Sequence, residues 1–459
     1  MTDIRQWMTD PALLGKTFGD DSWATWRALL AGFDGLTLSE TEAAIFHELT
    51  QRVPPDDVLD ELWLVIGRRG GKSIVSALLA VIPAVTFEAQ GRLSAGEIAT
   101  VQVIAEDRKQ ARSVYRYITG LLHSCPMLKR LIKKESNEGI ELTNRVVIEV
   151  HTASFRRVRG YTLLAVIMDE IAFWMSEGAN PDSEVVSALR PGLATLNGRL
   201  IGLSSPYARR GVLWETHRDH YGKDGPILVA KAPTRTMNPT FPQETIDKAL
   251  VLDRSRASAE YLAEFRTDVE TFVPREAVEA CIESRCRELP PVATHQYFAF
   301  VDPSGGRSDS FTLAIAHVEN DVRILDVVRE RRAPFNPSAV VDDFADLLSR
   351  YRLNRVMGDA YAGEWPPEQF RKKGIQYQPS KLSRSEIYSA LLPIINSGQA
   401  RLLDNERLVN QLIALERKTS RAGRDSIDHP PGGHDDVANA AAGALVGITA
   451  FLRPIWRPL

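Results

Sequence analysis

The chain is poor in cysteine. Cys125, Cys281 and Cys286 are the only three in 459 residues. They form no metal-binding spacing and no obvious disulfide frame, which argues against a disulfide scaffold or zinc ribbon and suits a reducing cytoplasm. No uncharged apolar run reaches the length of about eighteen residues that a membrane span needs. The opening Met1-Thr2-Asp3-Ile4-Arg5 lacks the basic-then-apolar order of a secretory signal. Positive charge is not in surplus either: 56 Lys and Arg against 59 Asp and Glu leave a net charge of −3. That excludes a globally basic nucleic-acid binder and confines any DNA contact to local patches. The candidate patches are Lys129-Arg130 with Lys133-Lys134, Arg329-Arg331-Arg332, Arg371-Lys372-Lys373 and Arg417-Lys418-Arg421-Arg424. Each is equally readable as a solvated charged face.

What is present is an ordinary globular composition, 44% hydrophobic and 25% charged, in a chain long enough for two or three domains. One stretch organises it. Leu62-Trp63-Leu64-Val65-Ile66 is a continuous apolar run of the kind found in buried parallel strands. Gly67-Arg68-Arg69-Gly70-Gly71-Lys72-Ser73 follows, and Ile74 to Val85 is apolar and helix-forming. Strand, Gly-rich turn and helix are the setting of a phosphate-binding loop. Its backbone N–H groups and the helix N-terminus suit an anion. Lys72 is then expected to reach the outer phosphates of ATP and Ser73 to ligate Mg²⁺. The first Gly comes one residue late, at Gly67, where the usual pattern has it at the position of Ile66. A Gly-rich turn with a surface Lys is the plain alternative.

Downstream, Ala99–Ala105 and Arg145–Val150 read as strands and Arg108–Leu122 as an amphipathic helix. In the N-terminal region a helix starts near Leu38, capped by Ser39 or Thr41, and Pro54-Pro55 closes it; this region is expected to lean on the ATP site. The apolar run Leu163–Met168 ends in Asp169-Glu170. Two acids at a strand end suit ATP hydrolysis, with Asp169 on the Mg²⁺ shell and Glu170 polarising the attacking water. Arg156, Arg157 and Arg159 precede that strand, and one of them is expected to stabilise charge on the transferring phosphate. Arg68 and Arg69 compete for this role, as does an arginine from a neighbouring subunit. Arg199–Ser205 is a further strand, whose Ser204 and Ser205 are placed to sense the γ-phosphate; a strand terminator before Pro206 is the alternative. Pro242–Thr267 reads as a charged helix and 271–294, with its Pro290-Pro291 break, as a linker.

A second domain then restarts with strands. His295–Val301 ends at Asp302, Phe311–Val318 and Val322–Arg329 follow at hairpin spacing, and a helix spans Pro337–Tyr351. Arg355–Gly358 leads into Asp359. Gly432-Gly433-His434-Asp435-Asp436 opens the helix Val437–Phe451. Acids at two strand ends and one helix start can gather around two divalent ions about 3.5–4 Å apart that clamp a phosphodiester. Oxygen ligands favour Mg²⁺ or Mn²⁺. Asp309 is an extra candidate, and Asp435 or Asp436 read alone is a helix cap.

Taken together, Gly-Arg-Arg-Gly-Gly-Lys-Ser at 67–73, Met-Asp-Glu at 168–170, Gly-Leu-Ser-Ser-Pro at 202–206, Val-Asp-Pro at 301–303, Gly-Asp-Ala at 358–360 and His-Asp-Asp at 434–436 resemble the large terminase subunit of tailed bacteriophages. The resemblance covers nearly the whole chain and includes the late first Gly. It implies an α/β protein with a P-loop ATPase domain with a mainly parallel sheet over 1–270, a linker over 271–294 and a ribonuclease H-like nuclease domain with a mixed sheet over 295–459. It implies ATP held by Gly67, Arg68, Arg69, Gly70, Gly71, Lys72, Ser73 and Asp169, hydrolysis by Asp169 and Glu170, and coupling through Ser204 and Ser205. Arg159 and Arg68 are the arginine-finger candidates, and Gln51 is the nearest option for reading adenine. Asp302, Asp359 and Asp435 would ligate the nuclease metals, with Asp436 as a further ligand. The implied partners are double-stranded DNA, a small terminase subunit and a portal ring on which copies assemble, in the host cytoplasm rather than in the mature virion. Two other functions use the same residues. One is a repair or defence helicase-nuclease, which lacks a helicase arginine set after residue 207; the other is an inert scaffold, against which Lys72, Glu170 and Asp302 stand.

Overall fold

The computed structural model describes residues 3–105, 107–137, 139–152, 160–174, 182–306, 309–359, 365–419, 425–430 and 433–452. The chain divides into two compact units, with the boundary between Thr267 and Asp268. Among the described residues no helix is long and apolar enough to cross a membrane.

The first unit is built on eight strands: β1 (Glu61–Ile66), β2 (Ala99–Ala105), β3 (Ile132–Glu135), β4 (Gly139–Leu142), β5 (Val146–Thr152), β6 (Thr162–Asp169), β7 (Arg199–Ser204) and β8 (Ile227–Ala232). They form one sheet in the order β3-β4-β5-β2-β6-β7-β1-β8. From β5 to β8 every pairing is parallel, and β3 and β4 add an antiparallel edge. The apolar run of β1 follows from its position inside this sheet. Leu62, Leu64 and Ile66 enter one core and Trp63 and Val65 the other, so all its side chains are buried.

Parallel pairing brings the ends of β1, β6 and β7 to one edge. Asp169 pairs with Leu203 and Val65 with Ser204, so the acids of β6 and the serines of β7 end level with the loop after β1. Ligands of open parallel sheets gather at that edge.

The helix expected over Pro242–Thr267 is two helices, Gln243–Leu252 and Arg254–Leu262. Asp253 breaks it: its backbone is extended, and its side chain accepts from Arg256 N to start the second helix.

The second unit carries β9 (Val269–Thr271), β10 (Ile282–Glu283), β11 (Tyr297–Asp302), β12 (Phe311–Glu319), β13 (Val322–Arg331), β14 (Arg355–Gly358), β15 (Gln376–Pro379), β16 (Ala400–Leu403), β17 (Glu416–Thr419) and β18 (Asp425–Asp428). Its main sheet runs β10-β16-β13-β12-β11-β14-β15. β11, β12 and β13 pair antiparallel, while β11, β14 and β15 pair parallel, the mixed order of a ribonuclease H-like core. β16 and β10 extend it in parallel beside β13. The helix Asp436–Leu452 lies across β11 and β12 at close range, since a Cβ on Gly443 would stand 2.3 Å from the ring of Phe300.

The segment expected to be a linker, 271–294, is instead part of this unit. Phe272, Val273, Val278 and Cys281 are buried in its core, and β9 joins β17 and β18 in a small antiparallel sheet. The Pro290-Pro291 break is an exposed irregular stretch inside the unit rather than a boundary, with Leu289 N donating to Asp326 O just before it.

Candidate functional site

The turn between β1 and the helix Lys72–Thr86 is held from outside. Trp26 Nε1 donates to Gly70 O at 2.9 Å, Thr234 Oγ1 to Arg68 O at 2.7 Å and Asn238 Nδ2 to Arg69 O at 2.9 Å. Within the loop, Gly67 N donates to Ala232 O, Arg68 N to Glu260 O and Gly70 N to Gly67 O. Gly71 takes φ 94°, a conformation open to glycine, and no side chain caps the helix that follows. That helix start is a ready anion site. The late first Gly also has a physical reason. Ile66 is a buried residue of β1, whereas a Cβ on Gly67 would lie 2.5 Å from Thr234 Oγ1 and 2.8 Å from Tyr261 O.

Lys72 is buried, and its Nζ donates to Ile66 O at 3.1 Å and lies 3.4 Å from Glu170 Oε1. Glu170 sits at φ 51° immediately after β6. Its Oε2 accepts from Ser204 Oγ at 2.9 Å and from Ser205 N at 3.2 Å. Asp169 is buried, accepts from Gln110 Nε2 at 3.1 Å through Oδ2, and has no hydrogen-bond partner at Oδ1. Burial, and then the charge of Glu170, push its carboxyl up to about 7. A buried, unpartnered carboxylate oxygen beside Lys72 fits a ligand of hydrated Mg²⁺. Ser73 stands next to Lys72 in the first turn of the helix.

The other candidate residues of this unit divide. Arg156, Arg157 and Arg159 lie outside the described residues. Arg68 is paired with Glu260 on the helix Arg254–Leu262, NH1 to Oε2 at 3.4 Å. Gln51 is at the wrong end of the sheet. It ends the helix Glu40–Thr50, whose neighbour Arg52 donates to Gly225 O and Ile227 O at the start of β8, whereas the loop follows the end of β1 parallel to it. Five strand steps of about 3.3 Å separate those edges, so Gln51 is not the adenine reader. Gln110, Trp26, Thr234, Asn238 and Glu260 are contacts that no local pattern announces.

In the second unit Val301 pairs with Gly358, so Asp302 and Asp359 leave adjacent parallel strands side by side. Asp302 Oδ2 accepts from Asn439 Nδ2 at 2.9 Å. Burial holds its carboxyl well above the ordinary range, and the charges of Asp436, Asp435 and Asp359 add to this. Asp302 thus lies beside Asp359 and within the field of Asp435 and Asp436 at the helix start, although among the described residues these four carboxylates do not themselves close to within 4.8 Å of one another. A divalent cation would relieve their repulsion, and the donors are all hard oxygens. Asp436 Oδ2 accepts from Ser310 N at 3.3 Å, and Asp309 is an exposed partner of His434 at 3.7 Å. Asp435 is only 2% exposed, and both its oxygens are engaged: Oδ1 by Arg384 NH1 and Oδ2 by Tyr388 OH, each at 2.9 Å. Asp428, the last residue of β18, and His429 after it carry ligand atoms within 4.8 Å of one on Asp435. Arg384 also reaches Asp428, NH2 to Oδ1 at 3.1 Å.

No protein-family model matches this chain, and no curated protein matches its sequence. Among solved structures, the chain is similar to the large terminase of bacteriophage HK97 at 18% identity and TM-score 0.38, covering 84% of this chain and 91% of that one. It is similar to the large terminase of a thermophilic bacteriophage, in complex with ADP, at 13% identity and TM-score 0.37, covering 86% and 94%. Its similarity to the large terminase nuclease of the thermophilic phage G20c, with bound magnesium, is 16% identity and TM-score 0.33 over 37% and 94%.

Proposed function

We propose that this protein is a large terminase subunit, an ATP-driven motor that moves double-stranded DNA into a prohead and cuts it with a metal-dependent nuclease. The observation that carries the reading is the presence of two distinct acid sites on one chain: Lys72, Asp169 and Glu170 at the edge of a parallel sheet, and Asp302, Asp359, Asp435 and Asp436 on a ribonuclease H-like core.

At the first site the loop N–H groups and Lys72 bind the phosphates, and Ser73 and Asp169 would hold the Mg²⁺ that travels with them. Glu170, fixed by Ser204 and Ser205, orients the attacking water and accepts its proton. Ser204 and Ser205 touch this carboxylate directly, so a change in charge at the phosphates reaches β7 through Glu170. At the second site Asp302, Asp359 and the Asp435-Asp436 pair would hold two Mg²⁺ or Mn²⁺ ions, which supply a nucleophile and neutralise the leaving oxygen. Copies act as a ring on a portal, with a small terminase subunit delivering the DNA.

Plasmid digestion with Mg²⁺ or Mn²⁺ tests the nuclease, and DNA-stimulated ATP hydrolysis tests the motor. The parent is expected to do both, Asp302→Ala to lose cutting alone and Lys72→Ala to lose hydrolysis alone. Normal hydrolysis by Lys72→Ala, or undiminished cutting by Asp302→Ala, contradicts the reading.

A further inference from the structure

The phosphate-binding turn is bonded directly to the last helix of its own unit. Arg68 N donates to Glu260 O, and the Arg68 guanidinium lies 3.4 Å from Glu260 Oε2. Glu260 holds a second cation as well, accepting from Arg256 Nε at 2.9 Å through Oε1. The pair is not enclosed: the side chains of Arg68 and Glu260 are 57% and 23% exposed. The helix backbone is packed on the same turn, since Tyr261 O sits 2.8 Å from where a Cβ on Gly67 would stand.

We propose that Glu260 is a positioning residue for Arg68, competing with the terminal phosphate of bound nucleotide for the guanidinium. The proposal rests on the reading of residues 67–73 as the ATP-binding loop. Carboxylate and phosphate oxygens both accept from guanidinium N–H groups, and Glu260 uses only NH1 of Arg68, so a phosphate that draws NH1 away displaces it. An exposed ion pair is weak enough to be exchanged. Glu260 is not left uncompensated by the exchange, because Arg256 stands one turn away on the same helix. The helix then keeps its backbone bond to the loop and loses its side-chain tie. It ends at Leu262, and the second unit begins at Asp268. Whether the Arg68 site carries a γ-phosphate is thereby registered just before the chain leaves the ATP-binding unit.

The experiment measures binding of ATP-γ-S with Mg²⁺ by calorimetry for the full chain, Glu260→Gln, Glu260→Asp, Arg68→Ala and the Arg68→Ala/Glu260→Gln double variant. Glu260→Gln is expected to bind about two- to fivefold tighter than the parent, the range set by the worth of an exposed ion pair. Glu260→Asp restores the parent affinity, and the double variant binds as Arg68→Ala does. In the same samples, amide exchange over 254–262 speeds up with ATP-γ-S in the parent and stays unchanged in Arg68→Ala. An unchanged affinity in Glu260→Gln, or an equal gain with and without Arg68, overturns the role of Glu260 while leaving the loop assignment intact. A parent that binds no ATP-γ-S overturns both.

Discussion

Lys72 Nζ is shared between the carbonyl oxygen of Ile66, 3.1 Å away, and Glu170 Oε1, 3.4 Å away. The lysine is thus held between the end of β1 and the end of β6, two strands that β7 separates in the sheet. Such a buried amine is balanced by one carboxylate and anchored by one strand end, ready to exchange both for phosphate oxygens. Lys72→Ala is expected to lower ATP hydrolysis on the order of 100-fold or more, because it removes the buried cation of the cradle. Glu170→Gln should cost as much in kcat while leaving nucleotide binding near the parent level. Steady-state hydrolysis with ATP-γ-S binding separates the two. Equal loss of binding in both variants would show that Glu170 supports the loop rather than the reaction.

Ser204 bears on Glu170, and its hydroxyl also lies 2.8 Å from Ser205 O. Its hydroxyl donates to Oε2 at 2.9 Å, and the Ser205 N–H donates to the same oxygen at 3.2 Å. Ser205 Oγ adds a third donor at 3.5 Å, and Ser204→Ala removes the nearest of the three, so kcat should fall about tenfold, the scale of one hydrogen bond to a charged group, with KM unchanged. A rise in KM at constant kcat would mean that the serine contacts nucleotide instead.

Asp169 gives the protein a pH-dependent stability of known sign. Its carboxyl is pushed up from 3.8 to about 7, first by burial and then by Glu170. The folded chain therefore holds a proton that the unfolded chain releases between those values. Stability is highest near and below the unfolded value and is lost as pH rises through 7. Asp302, Asp435 and Asp436 shift in the same direction, so the parent slope has several sources. Asp169→Asn removes one of them. Without nucleotide or metal, its Tm should exceed the parent's by about 2–4 °C above pH 7, the scale of about 1 kcal/mol in a unit of this size. The gap should narrow as pH falls below 7 and close near the unfolded value of 3.8. A gap that does not vary with pH would rule out titration of Asp169 as its source.

The parts of these sites that were legible in the sequence are those where chemistry needs consecutive residues. The loop 67–73, the acids 169–170 and the serines 204–205 each end one strand, so an apolar run followed by polar residues reveals them. The residues that hold them arrive from elsewhere. Gln110 reaches Asp169 from a helix fifty-nine positions away in sequence, and Trp26 reaches Gly70 from forty-four. Neither carries a local mark, because a Gln in a first helical turn and a Trp on an apolar face suit any soluble helix. The stretch 271–294 misled for the opposite reason. Its prolines and short elements have linker composition, while its few apolar residues, Phe272, Val273 and Val278, are buried against partners far along the chain.

Asp435 and Asp436 are neighbours in sequence with different surroundings, and they should fail differently. Asp435 is held by Arg384 and Tyr388 from the helix Arg384–Asn396, so its carboxylate fastens the start of the helix Asp436–Leu452 to that neighbour. Among the described residues Asp436 accepts from one backbone donor, Ser310 N, and its charge acts on Asp302. Asp435→Ala should therefore destabilise the unit by about 2–3 kcal/mol, the worth of its charge-assisted hydrogen bonds, even without metal. Asp436→Ala should leave metal-free stability unchanged or raised, since it relieves repulsion among the acids. Mn²⁺ titrated into the parent should raise Tm, because it binds the folded state only. Asp302→Ala and Asp436→Ala should lose that rise together with plasmid cutting. If Asp436→Ala keeps the Mn²⁺-dependent rise and Asp435→Ala loses it in conditions where both are folded, the roles of the two aspartates are reversed. Arg384 must then give up Asp435 when the ions bind, with Asp428 as the partner it retains.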